Sequence, residues 1–191
     1  MYFCSAMDSR YIEHWLNELR DRKSKNAFLE SVMNDPKAIV LNDSNGHKTK
    51  LFPGNKGPKT ITWEQTKQMA YDLNNNGFDV VFLPELKSDV CADSLISDGK
   101  IYKIADFKYC ITSKANTLSI ELGHGFGQAN NVVLKLTNMD SGTFRDAIDY
   151  LLRNEIPYGN IILINKYGKV LTISFKEIRN KSFMRKIKGF L

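Results

Sequence analysis

Cysteine is scarce in this chain: three in 191 residues, at Cys4, Cys91 and Cys110, far apart and with no CxxC spacing. Such a set supplies neither a disulfide framework nor a thiolate zinc site. Cys91 and Cys110 fall in strand-like stretches and read as buried thiols, which suits a reducing compartment. Histidine is as rare, with three copies that form no cluster. No apolar run approaches the roughly 18–20 residues needed to span a bilayer. The opening MYFCSAMDSRYIEHW is interrupted by Asp8, Arg10 and Glu13, so it does not read as a signal peptide. The expectation is a chain with no membrane association, made in the cytoplasm. GHGFGQ follows no strand, so it is not a dinucleotide-binding turn, and Gly57-Pro58-Lys59 is not a phosphate-binding loop. No Ser/His/Asp arrangement is visible. Internal repeats and low-complexity tracts are absent.

Positive charge is present in excess: 27 Lys and Arg against 21 Asp and Glu, a formal net charge of +6. A basic balance favours polyanionic partners, because neutralising phosphates releases counterions. Hydrophobic content of 42% with 25% charged residues fits a globular chain with one domain, or one domain and an appended segment.

Periodicity divides the chain into a segment over 1–60 and a domain over 61–191. Residues 8–34 carry apolar positions at helical spacing, Tyr11, Ile12, Trp15, Leu16 and Leu19, then a short helical run from Asn26 to Met33. A short strand at 39–41 precedes a polar loop over 42–60. Thr62 to Gln65 suggests a capping box, opening a helix that stops at Asn76-Gly77. Strands follow at 78–85, 91–97 and 100–110, the last two joined by a turn at Asp98-Gly99. A helix over about 115–130, a buried strand over 132–137, a helix capped by Ser141 and running to Asn154, and strands at 160–165 and 170–175 complete the pattern. The fold expected is α/β, a mixed sheet flanked by helices, with a helical N-terminal segment and a basic C-terminal tail.

Four residues stand out. Asp106 and Lys108 are two apart on one strand, so their side chains share a face, while Phe107 points into the core. The hairpin brings Asp93 towards Asp106 across the strands. Two carboxylates suit a divalent cation held through oxygen, and an adjacent lysine can orient water or stabilise charge on a phosphate. Glu64, in the preceding helix, offers a further carboxylate. Each has a plainer role too: a surface ion pair for Asp106 and Lys108, a turn-proximal acid for Asp93, a first-turn acid favoured by the helix dipole for Glu64. Counting strictly from the turn gives a second register, which puts Lys103 and Ala105 at the motif and leaves it without an acid.

The order of an acid on a helix, an Asp-bearing strand, a tight turn and an Asp-x-Lys strand resembles the PD-(D/E)XK nuclease superfamily. WEQTKQMAYDLNNNGFDVVFLPE, ADSLISDG, IADFK and GFGQANNVVLKL together resemble, more closely, the C-terminal tRNA-nuclease domain of contact-dependent growth-inhibition toxins. The resemblance covers about the last two thirds of the chain. Asp93 follows Ala92 where the superfamily has Pro, and Asp106 stands where this family usually has Glu. The resemblance implies a restriction-endonuclease-like core. It also implies a metal-dependent endoribonuclease, toxin-like and delivered into a target-cell cytoplasm, with tRNA as substrate and a cognate immunity protein as partner. By the same resemblance Glu64, Asp93 and Asp106 hold Mg²⁺ or another divalent cation, and Lys108 and Gln128 complete the catalytic set. A DNA endonuclease of the same class, and a non-catalytic module binding nucleic acid or protein on the same scaffold, stand as alternatives.

In the tail, Arg179, Arg185, Lys186 and Lys188 are candidates for phosphate contact, with Phe183 and Phe190 as stacking partners. The other possibility is an amphipathic helix whose stripe is Ile178, Phe183, Met184 and Ile187. Glu85 at a strand end is a minor candidate ligand, and His124 a structural or exposed histidine.

Overall fold

The computed structural model describes residues 16–52, 61–83 and 92–191. The chain forms two compact units, Met1–Ala105 and Asp106–Leu191. Eight strands, six helices and a further helical turn at 16–18 are assigned among the described residues, a mixed α/β arrangement as expected.

The first unit contains α1 (Arg22–Met33), β1 (Ile39–Ser44), β2 (His47–Leu51), α2 (Ile61–Asn75), β3 (Asp79–Phe82), β4 (Ser94–Ser97) and the start of β5 (Tyr102–Cys110). Helix α1 starts where Asp21 accepts the Ser24 N–H at 2.9 Å, meeting one of the donors a helix start leaves unpaired. Its residues Leu29, Val32 and Met33 pack with Val81, Leu83 and Leu95. Residues 42–51, expected as loop, are instead most of a β-hairpin. Its turn is Asn45-Gly46, both at positive φ (55° and 82°), the conformation that matches strand twist in a two-residue hairpin. The polar sequence concealed it, because β1 is largely exposed and does not alternate. β2 then pairs in parallel with β3, Leu51 beside Phe82. β3, β4 and β5 pair antiparallel in sequence order.

Helix α2 is tied to that hairpin by Asn74. Its side-chain oxygen accepts from Thr49 at 2.7 Å and from Asn42 at 2.8 Å, and its amide donates to the Phe78 carbonyl at 2.9 Å. The stop at Asn76-Gly77 is as expected, with Gly77 at φ 89°. The start is not, for Ile61 is already helical and Thr62 lies inside the first turn rather than capping it. The Asp98-Gly99 turn is present but wider than a two-residue turn: the ladder closes at Ser97 and Tyr102, and Asp98 accepts N–H groups of Lys100 and Ile101 at 3.0 and 2.9 Å.

The second unit runs from the rest of β5 through α3 (Ala115–Gln128), β6 (Asn131–Leu136), α4 (Ser141–Arg153), β7 (Asn160–Ile164), β8 (Val170–Ile173), α5 (Phe175–Arg179) and α6 (Met184–Ile187). The order of elements follows the sequence pattern. β5, β6 and β7 are parallel, which requires the crossovers that α3 and α4 supply. β8 returns antiparallel on β7. Helix α4 is capped by Asp140, not Ser141: the Asp140 carboxylate accepts from Gly142 at 2.8 Å and Thr143 at 3.0 Å. Leu118, Leu122 and Phe126 of α3 and Phe144, Ile148 and Leu151 of α4 bury one core with Val132, Leu134, Ile161 and Leu163.

The tail joins this core. Ser174 caps α5 in a reciprocal box with Glu177, and Ile178, Phe183 and Ile187 are fully buried. Phe183 meets Phe144 edge to face at 6.0 Å. It is therefore a packing residue and not a stacking partner for a base. Among the described residues, no helix is long and apolar enough to cross a membrane.

Candidate active site

The sharpest feature of the second unit is the pair on β5. Lys108 Nζ lies 2.9 Å from Asp106 Oδ2, with the lysine side chain 19% exposed and the aspartate side chain 1%. The shared face is the one that strand alternation requires. Phe107, between them, is buried. A carboxylate taken out of water this completely is costly unless a charge or donor meets it, and Lys108 does so.

Burial comes from α3. In the parallel ladder Asp106 stands beside Val132 and Lys108 beside Leu134. A Cβ on Gly125 would sit 2.8 Å from Val132 Cγ2 and 3.1 Å from Asp106 Oδ2. Only glycine lets the helix backbone approach so closely. The run GHGFGQ, which does not read as a dinucleotide-binding turn, thus serves to cover an acid. Gln128 is the last residue of α3, half-buried and one turn beyond Gly125. Glu121, one turn before it, was not singled out from sequence. Burial raises the pKa of the Cys110 thiol, and Glu121 raises it further, which puts that acid near the end of β5. The buried Cys110 matches the expectation for it; Cys91 lies outside the described residues.

In the first unit, Asp93 is half-buried and immediately precedes β4 rather than lying within it. Its carbonyl accepts the Leu83 N–H at 2.9 Å. The hairpin ladder ends at Ser94 opposite Ala105. Glu64 sits in the first turn of α2 with its side chain 70% exposed, and Lys67 Nζ is 2.8 Å from its carboxylate. Lys67 also lies 5.8 Å from the Trp63 ring, which packs edge-on against Phe82 at 4.8 Å. This lysine was missed, although its i,i+3 spacing from Glu64 marks it. Lys103 pairs with Ile96, and Ala105 with Ser94, so both share the hairpin face of Val80 and Phe82. That is the face on which Trp63 of α2 packs. Glu85 lies outside the described residues, and His124 is exposed.

The proposed donors Glu64, Asp93 and Asp106 are all carboxylates, the donor type that hard divalent cations prefer. Among the described residues, no group of three or more His, Cys, Asp or Glu side chains is gathered as a metal site. The fit is one of donor chemistry, strongest at Asp106, where a desolvated carboxylate already faces a cation.

Of the tail cations, Arg179, Arg185 and Lys188 are exposed. Lys186 is engaged, 2.6 Å from Glu177 and donating to the Thr172 carbonyl at 3.3 Å. That contact and the Ser174 bonds hold the Glu177 carboxyl down at about 2.

No protein-family model matches the chain, and no curated protein matches it. Among solved structures it is similar to a chain described as "CdiA-CT/CdiI toxin and immunity complex from Burkholderia pseudomallei", at 23% identity over 66% of this chain and 98% of that chain, with a TM-score of 0.47.

Proposed function

We propose that this protein is a divalent-metal-dependent nuclease of the PD-(D/E)XK type that cleaves RNA, and that it acts as a toxin held in check by an immunity protein. The observation that carries the reading is the Asp106–Lys108 pair: a fully buried carboxylate, 2.9 Å from a lysine that still reaches solvent. An ordinary surface ion pair has no reason to hide its acid under a helical glycine. Asp106 is the principal carboxylate for the cation, and the sequence resemblance adds Glu64 and Asp93. A bound Mg²⁺-class cation supplies Lewis-acid polarisation of a phosphoryl oxygen and a more acidic water. Lys108 stabilises negative charge that develops on the phosphate. Gln128, on the same side of α3 as Gly125, orients water or a phosphate oxygen. Arg179, Arg185 and Lys188 hold the substrate backbone. The choice of tRNA rests on the sequence resemblance.

The experiment is digestion of purified tRNA and of duplex DNA by the full chain, with Mg²⁺ and with chelator. Cleavage of tRNA that needs the cation supports the proposal; cleavage of DNA alone moves it to a DNA endonuclease. No divalent-dependent cleavage of either sinks it. A second reading, a binding module on a nuclease scaffold, is favoured by one observation: Lys103 and Ala105, a motif without an acid, occupy the hairpin face that α2 covers.

A further inference from the structure

The geometry points to a base-stacking platform at Phe175 and Tyr158, which we propose receives a base of single-stranded nucleic acid next to the Asp106 site. It rests on the nuclease reading for its purpose but not for its test. The two rings are parallel within 16° with centroids 4.9 Å apart. Half-buried Tyr158 packs against the core, and Phe175 remains 41% exposed. A stacked pair whose outer ring is open offers a continuing stack rather than a satisfied contact. Any base can lie on such a face, because every base has a π-surface.

The platform is held in place by hydrogen bonds. Asn160 accepts the Phe175 N–H at 2.8 Å through Oδ1 and donates through Nδ2 to Asn131 Oδ1 at 2.9 Å. Its backbone N–H is held by the Asn130 carbonyl at 3.1 Å. One asparagine therefore joins the starts of β6, β7 and α5. In the ladder Asp106 pairs with Val132, Val132 with Ile161 and Asn131 with Asn160. Asp106, in the middle of β5 where its pairing with β6 begins, is thus two strand spacings, or roughly 10 Å, from the start of β7 at Asn160. Gln128 ends α3 just before this edge.

Charge selects the occupant. Lys176 and Arg179, on the helix that Phe175 opens, are exposed. An aromatic face flanked by two cations suits a base and its phosphates. A duplex keeps its bases stacked on each other, so the platform discriminates for unpaired strands. The sequence did not announce it. Phe183 and Phe190 drew attention through their basic neighbours, whereas Tyr158 and Phe175 are 17 residues apart in sequence and meet only through the β7–β8 return.

The test is fluorescence anisotropy with the full chain in chelator, where nothing is cut. The probes are a labelled short oligoribonucleotide of mixed sequence and the same strand annealed to its complement. Phe175→Ala should weaken single-strand binding about tenfold, Phe175→Trp should restore it, and duplex binding should hardly change. The salt slope should stay with Phe175→Ala and flatten with the Lys176→Ala, Arg179→Ala double variant, because only the latter removes phosphate contacts. Circular dichroism melts confirm the fold of each variant. Wild-type affinity in Phe175→Ala, an equal loss for duplex, or no binding of either probe by wild type would overturn the platform. In the first case the rings would be a protein-docking surface. Phe175-dependent binding without divalent cleavage defeats the nuclease reading alone; cleavage indifferent to Phe175 defeats the platform alone.

Discussion

Glu64 and Asp106 are both acids beside a lysine, 2.8 and 2.9 Å from it, and they differ in almost everything else. Glu64 is on the open side of a helix with 70% of its side chain in water. Asp106 is under a helix with 1% exposed. In water a carboxylate and an ammonium at that distance gain little, because solvent screens them and the side chains lose freedom. Under α3 the same contact decides whether a buried charge is tolerated. Proximity to lysine is therefore uninformative by itself, and the surroundings separate a surface pair from a prepared site.

The largest effects should come from the buried pair. Asp106→Asn and Lys108→Ala are each expected to reduce tRNA cleavage in Mg²⁺ by at least about 10²-fold, about 2.7 kcal/mol of transition-state stabilisation. Lys108→Ala also strips a buried carboxylate of its cation, so it should melt lower than Asp106→Asn, which removes the charge itself. Lys103→Ala is the comparison. Equal loss of cleavage there would assign the motif to the other register and leave Asp106 a structural acid.

Next in size is the cover. Gly125→Ala puts a methyl against Val132 and Asp106 and should cost about 1–3 kcal/mol by overpacking. At Gly127, two residues on, a Cβ meets nothing within 4 Å. There Ala should be neutral or stabilising by up to about 1 kcal/mol through helix propensity. Urea unfolding of the two variants decides; similar midpoints would mean α3 does not lie tightly on β5.

Smaller again is the tail cap. Glu177 has a folded pKa of about 2, depressed below its ordinary 4.5 by Lys186 and Ser174. A depressed carboxylate stabilises the fold above its unfolded pKa, and that contribution is lost as pH falls towards the folded value. Glu177→Ala should therefore cost about 1 kcal/mol near neutral pH. The difference from wild type should shrink between about pH 4.5 and 2; a constant difference across that window would show that the carboxylate charge is irrelevant.

The smallest stability effect belongs to Glu64→Gln, about 0.5 kcal/mol or less, as for an exposed pair. Its cleavage is the informative readout. A loss comparable with Asp106→Asn makes the exposed acid a metal ligand, and unchanged cleavage leaves it a surface partner of Lys67.

Much of the second unit was legible beforehand because its elements have clean periods. Leu118, Leu122 and Phe126, then Phe144, Ile148 and Leu151, repeat at helical spacing, and the short β-branched and apolar runs VVL of β6 and IILI of β7 suit buried parallel strands. The hairpin of β1 and β2 was illegible because its strands are polar and half-exposed, although Asn45-Gly46 carried the turn. Asp106 and Lys108 could be paired from the period of two alone. Nothing in a one-dimensional pattern ranked that pair above Glu64 and Lys67, which are as well spaced.

The element order from Ile61 onwards, the shared face of Asp106 and Lys108, and the excess of positive charge follow from the chain's own pattern, since periodicity and composition need no knowledge of distant contacts. Tertiary structure alone decided that Gly125 buries Asp106, that Phe183 packs against Phe144, and that Tyr158 and Phe175 stack. These depend on which distant residues the crossovers bring within contact, and burial is a property of what lies above a side chain in space.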